Sequence, residues 1–209
     1  VLSPGQTPQP LTLCVEREGR RSSAPFDYDA STRRYTGALE IADADLWWPH
    51  THGEPALYSV CARGAQRPAE GDATVLDLGH IGFRTIELDR SDGGFALRVN
   101  GIPVLCRGAC WMPLDALSPH SDDKDALTRA FAQIRDAGFN MLRVSGTMVY
   151  ESDAFLDACD RHGVLLWQDF MFANMDYPED DATFARSVGR ESTQQLRRLQ
   201  GRPCIAVLC

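Results

Sequence analysis

Residues 140–181 read NMLRVSGTMVYESDAFLDACDRHGVLLWQDFMFANMDYPEDD, and this stretch decides the fold. An apolar run from Asn140 to Val144 is followed by a helix pattern from about Ser152 to His162. Phe155, Ala158 and Cys159 share one face of that helix, and Gly163 closes it. A second apolar run, Val164 to Gln168, comes next, as expected of parallel strands covered on both faces. Polar, aromatic and acidic residues follow the end of each run. In an α/β barrel the strand ends form the reaction face, so this chemistry at this place points to an enzyme site.

The pattern extends outward in both directions. Downstream, Pro178 with Glu179, Asp180 and Asp181 matches a helix N-terminus, and the helix is expected to reach about Gln200. Gly201 and Pro203 stop it before the apolar run Cys204 to Leu208. Upstream, Pro103 to Arg107 reads as the first strand. Its helix has Ser121 or Asp122 as N-cap, Leu127, Ala130, Phe131 and Ile134 on one face, and Gly138 at its end. The order β-α-β-α-β-α-β implies right-handed parallel crossovers. An open nucleotide-binding sheet needs a glycine-rich turn after its first strand, whereas Gly108-Ala109-Cys110-Trp111-Met112-Pro113 offers an indole and a proline there. A barrel is therefore expected, and residues 101–209 supply about half of the ~250 residues a whole one takes. The chain stops at Cys209 within an apolar run, so it is expected to be a piece of a larger enzyme.

Residues 11 to 100 follow a different rule. Short runs such as Leu11 to Glu16, Arg34 to Ile41, Ala56 to Ala62, Ala73 to Gly79, Gly82 to Leu88 and Phe95 to Asn100 are separated by turns, and several alternate apolar with polar. Strands at this spacing without helices predict an immunoglobulin-like β-sandwich. Asn100-Gly101, between Leu97-Arg98-Val99 and Ile102-Pro103-Val104-Leu105, is a tight-hairpin signal. The expected fold is a multidomain β plus α/β protein. Its parts are an immunoglobulin-like β-sandwich over 1–100 and a partial (β/α)8 TIM barrel over 101–209.

Composition narrows the function. A hydrophobic fraction of 44% and a charged fraction of 24% predict a packed core. The net charge of −8 and the shortness of the basic cluster Arg197-Arg198 near Arg202 argue against a nucleic-acid partner. No run has the length of a membrane span, so no membrane partner is expected. The 7 cysteines, at 14, 61, 106, 110, 159, 204 and 209, contain no Cys-x-x-Cys pair. They are expected to be buried free thiols, which favours a cytoplasmic over a periplasmic location. His50 and His52 have no third ligand at metal spacing, so neither metal nor cofactor is expected.

Four segments together resemble the family 2 glycoside hydrolases, especially their β-mannosidase branch. They are Leu46-Trp47-Trp48-Pro49 with Leu57-Tyr58, Gly82-Phe83-Arg84, Arg107 to Pro113, and Val164 to Ala173. The resemblance covers most of the chain from about residue 39, in matching order and spacing. It implies retaining hydrolysis of a terminal β-linked sugar by two glutamates, whose carboxyl groups sit about 5–5.5 Å apart in such enzymes. Both glutamates are expected beyond Cys209, since Glu151 and Glu191 match neither position, so the chain alone is expected to be inactive. The resemblance makes Arg143 the residue that holds the nucleophile carboxylate, Trp111 a sugar-stacking or pocket-wall residue, and Asp169 a polar position near the sugar. Asp115 is a further candidate for reaching the pocket from its loop. Read from the residues alone, each has a plainer alternative: a rim ion pair, core packing, a cap and a solvated loop residue. Cys110 and Ser145-Gly146-Thr147-Met148 depart from the family's asparagine and its tryptophan-then-glycines stretch, which changes the shape of the sugar subsite.

The expected partners are a carbohydrate, the remaining domains of the parent chain, and a second copy through unpaired strand edges. Other readings stay open at this point. They are a non-catalytic carbohydrate-binding or adhesion module, and another family 2 activity: β-galactosidase, β-glucuronidase or exo-glucosaminidase.

Overall fold

The computed structural model describes residues 7–64, 74–115 and 122–209. The strand start expected at Ala73 and the helix cap expected at Ser121 lie outside these residues. By its contacts the chain forms two compact units. One comprises Val1–Asp45 with Leu57–Ile81, the other Leu46–Ala56 with Gly82–Cys209.

The first unit is antiparallel β. Its strands are β1 (Leu11–Arg17), β2 (Arg20–Pro25), β3 (Asp27–Asp29), β4 (Arg34–Thr36), β5 (Tyr58–Gly64) and β6 (Val75–Ile81). Four of them form one sheet in the order β2-β1-β5-β6, and β3 pairs β4. Glu18 and Gly19, both at positive φ, make the two-residue turn that lets β2 fold back on β1. Cys14, Val15, Tyr58 and Ala62 are buried in the sheet. Where β6 pairs β5 the register slips near Ser59–Cys61, and Gly79 at φ 87° takes up the bulge. Tyr35 packs on both Phe26 and Tyr28, which ties β3 to β4.

The second unit combines a small antiparallel sheet with a parallel α/β sheet. The small sheet has the order β7 (Ile86–Asp89), β8 (Ala96–Val99), β9 (Ile102–Val104). Asn100 and Gly101, at φ 50° and 77°, form the expected hairpin between β8 and β9. The parallel sheet runs β10 (Gly108–Trp111), β11 (Met141–Val144), β12 (Leu165–Gln168), β13 (Ile205–Leu208) in spatial order. Between its strands lie α1 (Lys124–Asp136), α2 (Asp153–His162) and α3 (Ala182–Leu199). At this level the β plus α/β architecture read from the sequence is the one observed.

Two elements of the parallel half start well later than their residues suggest, and in the small sheet β7 starts at Ile86 where the sequence pattern starts at Gly82. The first parallel strand is Gly108–Trp111, not Pro103–Arg107; Pro103 instead sits in β9, at the edge of the small sheet, where its missing N–H is tolerated. Gly-Ala-Cys carries no apolar signature because the strand must be small. A Cβ on Gly108 would lie 1.6 Å from the Met141 carbonyl oxygen. Likewise α3 begins at Ala182 rather than near Pro178. Residues 178–181 form a turn closed by Asp181 N–H donating to Pro178 O at 3.0 Å, and the Asp181 side chain then caps the helix. Ser152 and Gly163 bound α2 as expected. The N-cap of α1 is Asp123, one residue past the expected Asp122.

The Leu46–Ala56 segment is fixed to the α/β part of its unit. Trp47 is fully buried, and its indole N–H donates to the Asp160 carbonyl at 2.8 Å. The His50 backbone N–H donates to Gly163 O, and its ring hydrogen-bonds Phe139 O at 2.7 Å, a packing role. Arg84 donates to the carbonyls of Pro203 and Ile205 just before and within β13.

Candidate functional site

Polar groups gather where β11 and β12 end. Strand register sets which side chains meet, because directly paired residues project from the same face of a sheet. Cys110, Arg143, Trp167 and Val207 are paired in turn across β10 to β13 and form one row. Trp111, Val144, Gln168 and Leu208 form the next row, on the opposite face.

Arg143 and Asp169 lie 26 residues apart and meet as an ion pair. Arg143 Nη2 donates to Asp169 Oδ2 at 2.7 Å, and its Nε lies 3.2 and 3.3 Å from the two carboxylate oxygens. The Gly146 N–H adds a third donor group to Oδ2 at 3.2 Å. Gly146 is required there, because a Cβ would meet the Phe170 carbonyl oxygen at 2.5 Å. The arginine side chain is 46% exposed and the aspartate 9%, so the pair presents its cationic end outward. Asp169 beside it pushes the Arg143 pKa up. The guanidinium carbon also stands 5.4 Å from the Trp167 ring centroid, a cation–π distance. Among the described residues, the buried Trp167 indole N–H has no hydrogen-bond acceptor. Below this row a mostly apolar cleft of about 500 Å³ is lined by Leu97, Val104, Met141, Trp167 and Val207, among others.

The other two expected site residues fall elsewhere. Trp111 is a core residue, 7% exposed, with its ring 4.8 Å from Phe155 and 6.1 Å from Phe131. Its indole N–H donates to the buried Glu151 carboxylate at 2.7 Å. The structure thus puts the Trp111 ring between sheet and helices, the core packing that is the plainer of its readings. The cause is the register: Cys110, one residue earlier, shares the face of Arg143. Asp115 is exposed on the loop after β10.

Residues not singled out from the sequence join the site or hold it. Trp167 was quoted within a motif, and strand alternation plus parallel register would have placed it beside Arg143. Gly146 contributes a backbone donor that carries no side-chain signal. Tyr150 donates to Glu191 at 2.9 Å and accepts from Met171 N–H, so it ties the loop after β11 to α3. Burial, more than this glutamate, pushes its phenol up to about 12. Asp160, fully buried, accepts from Cys204 N–H at 3.0 Å and Arg202 at 3.1 Å, which locks α2 to the start of β13.

A parallel β/α sheet with a fixed guanidinium–carboxylate pair and an indole at its strand ends is the plan of an α/β enzyme. The chain matches no protein-family model. It is 37% identical over 174 residues to β-mannosidase B of Aspergillus flavus, covering 81% of this chain and 20% of that protein. Among solved structures, the β-D-mannosidase of Dictyoglomus thermophilum superimposes with a TM-score of 0.73 at 29% identity, covering 96% of this chain and 25% of that one. A Parabacteroides merdae β-glucuronidase shares the fold, with a TM-score of 0.77 at 17% identity over 99% of this chain and 26% of that one. The chain thus spans about a fifth of the length of the curated relatives it matches. The likeness to the β-mannosidase branch of the family 2 glycoside hydrolases, read first from four short segments, holds over most of the chain.

Proposed function

We propose that this chain is part of a retaining exo-β-glycosidase of β-mannosidase type, and that it supplies one side of the sugar pocket. The observation that carries the reading is the Arg143–Asp169 pair at the ends of β11 and β12. Retaining hydrolysis needs one carboxylate that attacks the anomeric carbon and one carboxylic acid that protonates the leaving oxygen. The family pattern puts both glutamates after residue 209. Arg143 supports this chemistry from the near side. Its Nε and Nη2 are taken by Asp169, which orients the guanidinium plane, and among the described residues Nη1 meets no acceptor, which suits it to a nucleophile carboxylate. Asp169, with three N–H groups on its carboxylate, fits a positioning role rather than proton transfer.

In this reading residues 1–100 are an immunoglobulin-like sandwich and residues 101–209 the first half of a (β/α)8 barrel. The cleft below Arg143 would then face the barrel interior. Ser145, in place of the family tryptophan, leaves the sugar subsite wider on this side. Asp115 remains a candidate sugar contact on the loop after β10.

The test is turnover of aryl β-glycosides by the full-length parent and, separately, by the 209-residue chain. The parent is expected to cleave the β-mannoside at least about tenfold faster than the β-glucuronide, β-galactoside or β-glucosaminide. The chain alone is expected to cleave none. A parent most active on another of these sugars overturns the mannosidase assignment. A parent inactive on all of them favours a carbohydrate-binding module, and turnover by the repurified chain overturns the missing-glutamate account.

A further inference from the structure

We infer that Cys14 and Cys61 form a reversible cross-strand disulfide, a redox-responsive modification site at the centre of the four-stranded sheet. The two cysteines are directly paired across β1 and β5, the two inner strands of that sheet. Directly opposed residues in antiparallel strands have Cα atoms about 4.5 or 5.5 Å apart, according to the pair type, and both values lie within the roughly 4.4–6.8 Å span of disulfides. Their Cβ atoms stand on one face, and an approach of about 1 Å brings them to bonding distance. The bulge at Gly79 falls opposite the Ser59–Cys61 step and adds twist there. Cys14 is buried and Cys61 is partly exposed, so a small oxidant reaches Cys61 first. Both cysteines belong to the first unit and the Arg143 row to the second, and the inference stands whether or not the glycosidase reading does.

The chemistry balances with a disulfide as oxidant, for example oxidised glutathione. The Cys61 thiolate attacks one glutathione sulfur, forming a mixed disulfide and releasing one glutathione thiolate. The Cys14 thiolate then attacks the Cys61 sulfur, forming the cross-strand bond and releasing the second. Two electrons pass to the glutathione pair, and the two thiol protons go to solvent or to the departing thiolates. Burial, then the neighbouring Cys61, push the Cys14 thiol up, so the ring-closing step speeds up as pH rises.

The molecule contains its own comparison. Cys159 and Cys204 also interact, and burial pushes the Cys204 thiol well up. Both are fully buried, and the Cys204 backbone is held by Asp160. Because both side chains are fully buried, that pair is expected to stay reduced in the folded chain.

The test uses the full chain carrying Cys110→Ser and Cys209→Ser, which removes the two exposed thiols. It is equilibrated in glutathione buffers of rising oxidised fraction, quenched by alkylation, unfolded and mapped by peptide mass spectrometry. The expected result is a linked Cys14–Cys61 peptide pair, reversed by dithiothreitol, with Cys159 and Cys204 still alkylated. Between about pH 7 and 8 the closing rate should rise roughly tenfold. In a Cys14→Ser version Cys61 should carry glutathione instead. Free Cys14 and Cys61 at the most oxidising ratio overturn the inference. So does a persistent glutathione adduct on Cys61 with Cys14 unchanged.

Discussion

Asp169 draws together groups that strand ends alone would leave apart: two nitrogens of Arg143 and the N–H of Gly146. Charge-assisted bonds of this kind contribute about 1.5–3 kcal/mol each when partly buried. Under the proposed function, Asp169→Asn in the full-length parent is therefore expected to lower kcat/KM about 10- to 100-fold on the preferred aryl glycoside. Its circular dichroism should match wild type, and an unchanged kcat/KM would remove Asp169 from the site. His162 shows a different effect of burial. Its ring stacks on Phe131 at 5.3 Å, and burial, then Arg135, lower its pKa. A base whose folded pKa is depressed stabilises the fold above its unfolded value, near 6.5. That stability is lost as pH falls through the unfolded value toward the folded one, because the unfolded chain takes the proton first. Melting should thus drop more between about pH 7.5 and 5.5 in wild type than in His162→Gln. Equal slopes would count against this.

At the scale of elements, the caps and the hairpin were legible because they are local. Ser152 and Gly163 bound α2, and Asn100-Gly101 turns the chain between β8 and β9, each for reasons contained within a few residues. The first parallel strand was not legible. Gly108-Ala109-Cys110 looks like a turn until Met141 is known to run alongside, when the lack of a Cβ becomes the requirement. Gly108→Ala is accordingly expected to push β10 off β11, costing about 3 kcal/mol or more. Thermal unfolding followed by far-UV circular dichroism checks it, and a Tm within about 2 °C of wild type would show that the strands separate easily. The late start of α3 has a similar origin. Pro178 and three acids match a helix N-terminus, yet the backbone makes a turn first and Asp181 becomes the cap.

For the whole molecule, the parallel sheet has β10 and β13 at its edges among the described strands, and Phe95, Leu105, Met112 and Met175 are large, exposed apolar residues of the same unit. Open strand edges and apolar surface invite pairing with another chain. The 209-residue chain is expected to self-associate at micromolar concentration in sedimentation velocity, and a stable monomer with a sharp thermal transition would contradict this. The sequence by itself determined the alternation of strands and helices after residue 100, the ends of α2, the β8–β9 hairpin and the likeness to β-mannosidases, because period, capping and motif order are written along the chain. Only the tertiary structure decided that Cys110 rather than Trp111 stands beside Arg143, that Asp169 is that arginine's partner, and that Cys14 faces Cys61. Those facts depend on register between strands, and register is set by packing among residues far apart in sequence, where one step moves a side chain to the other face.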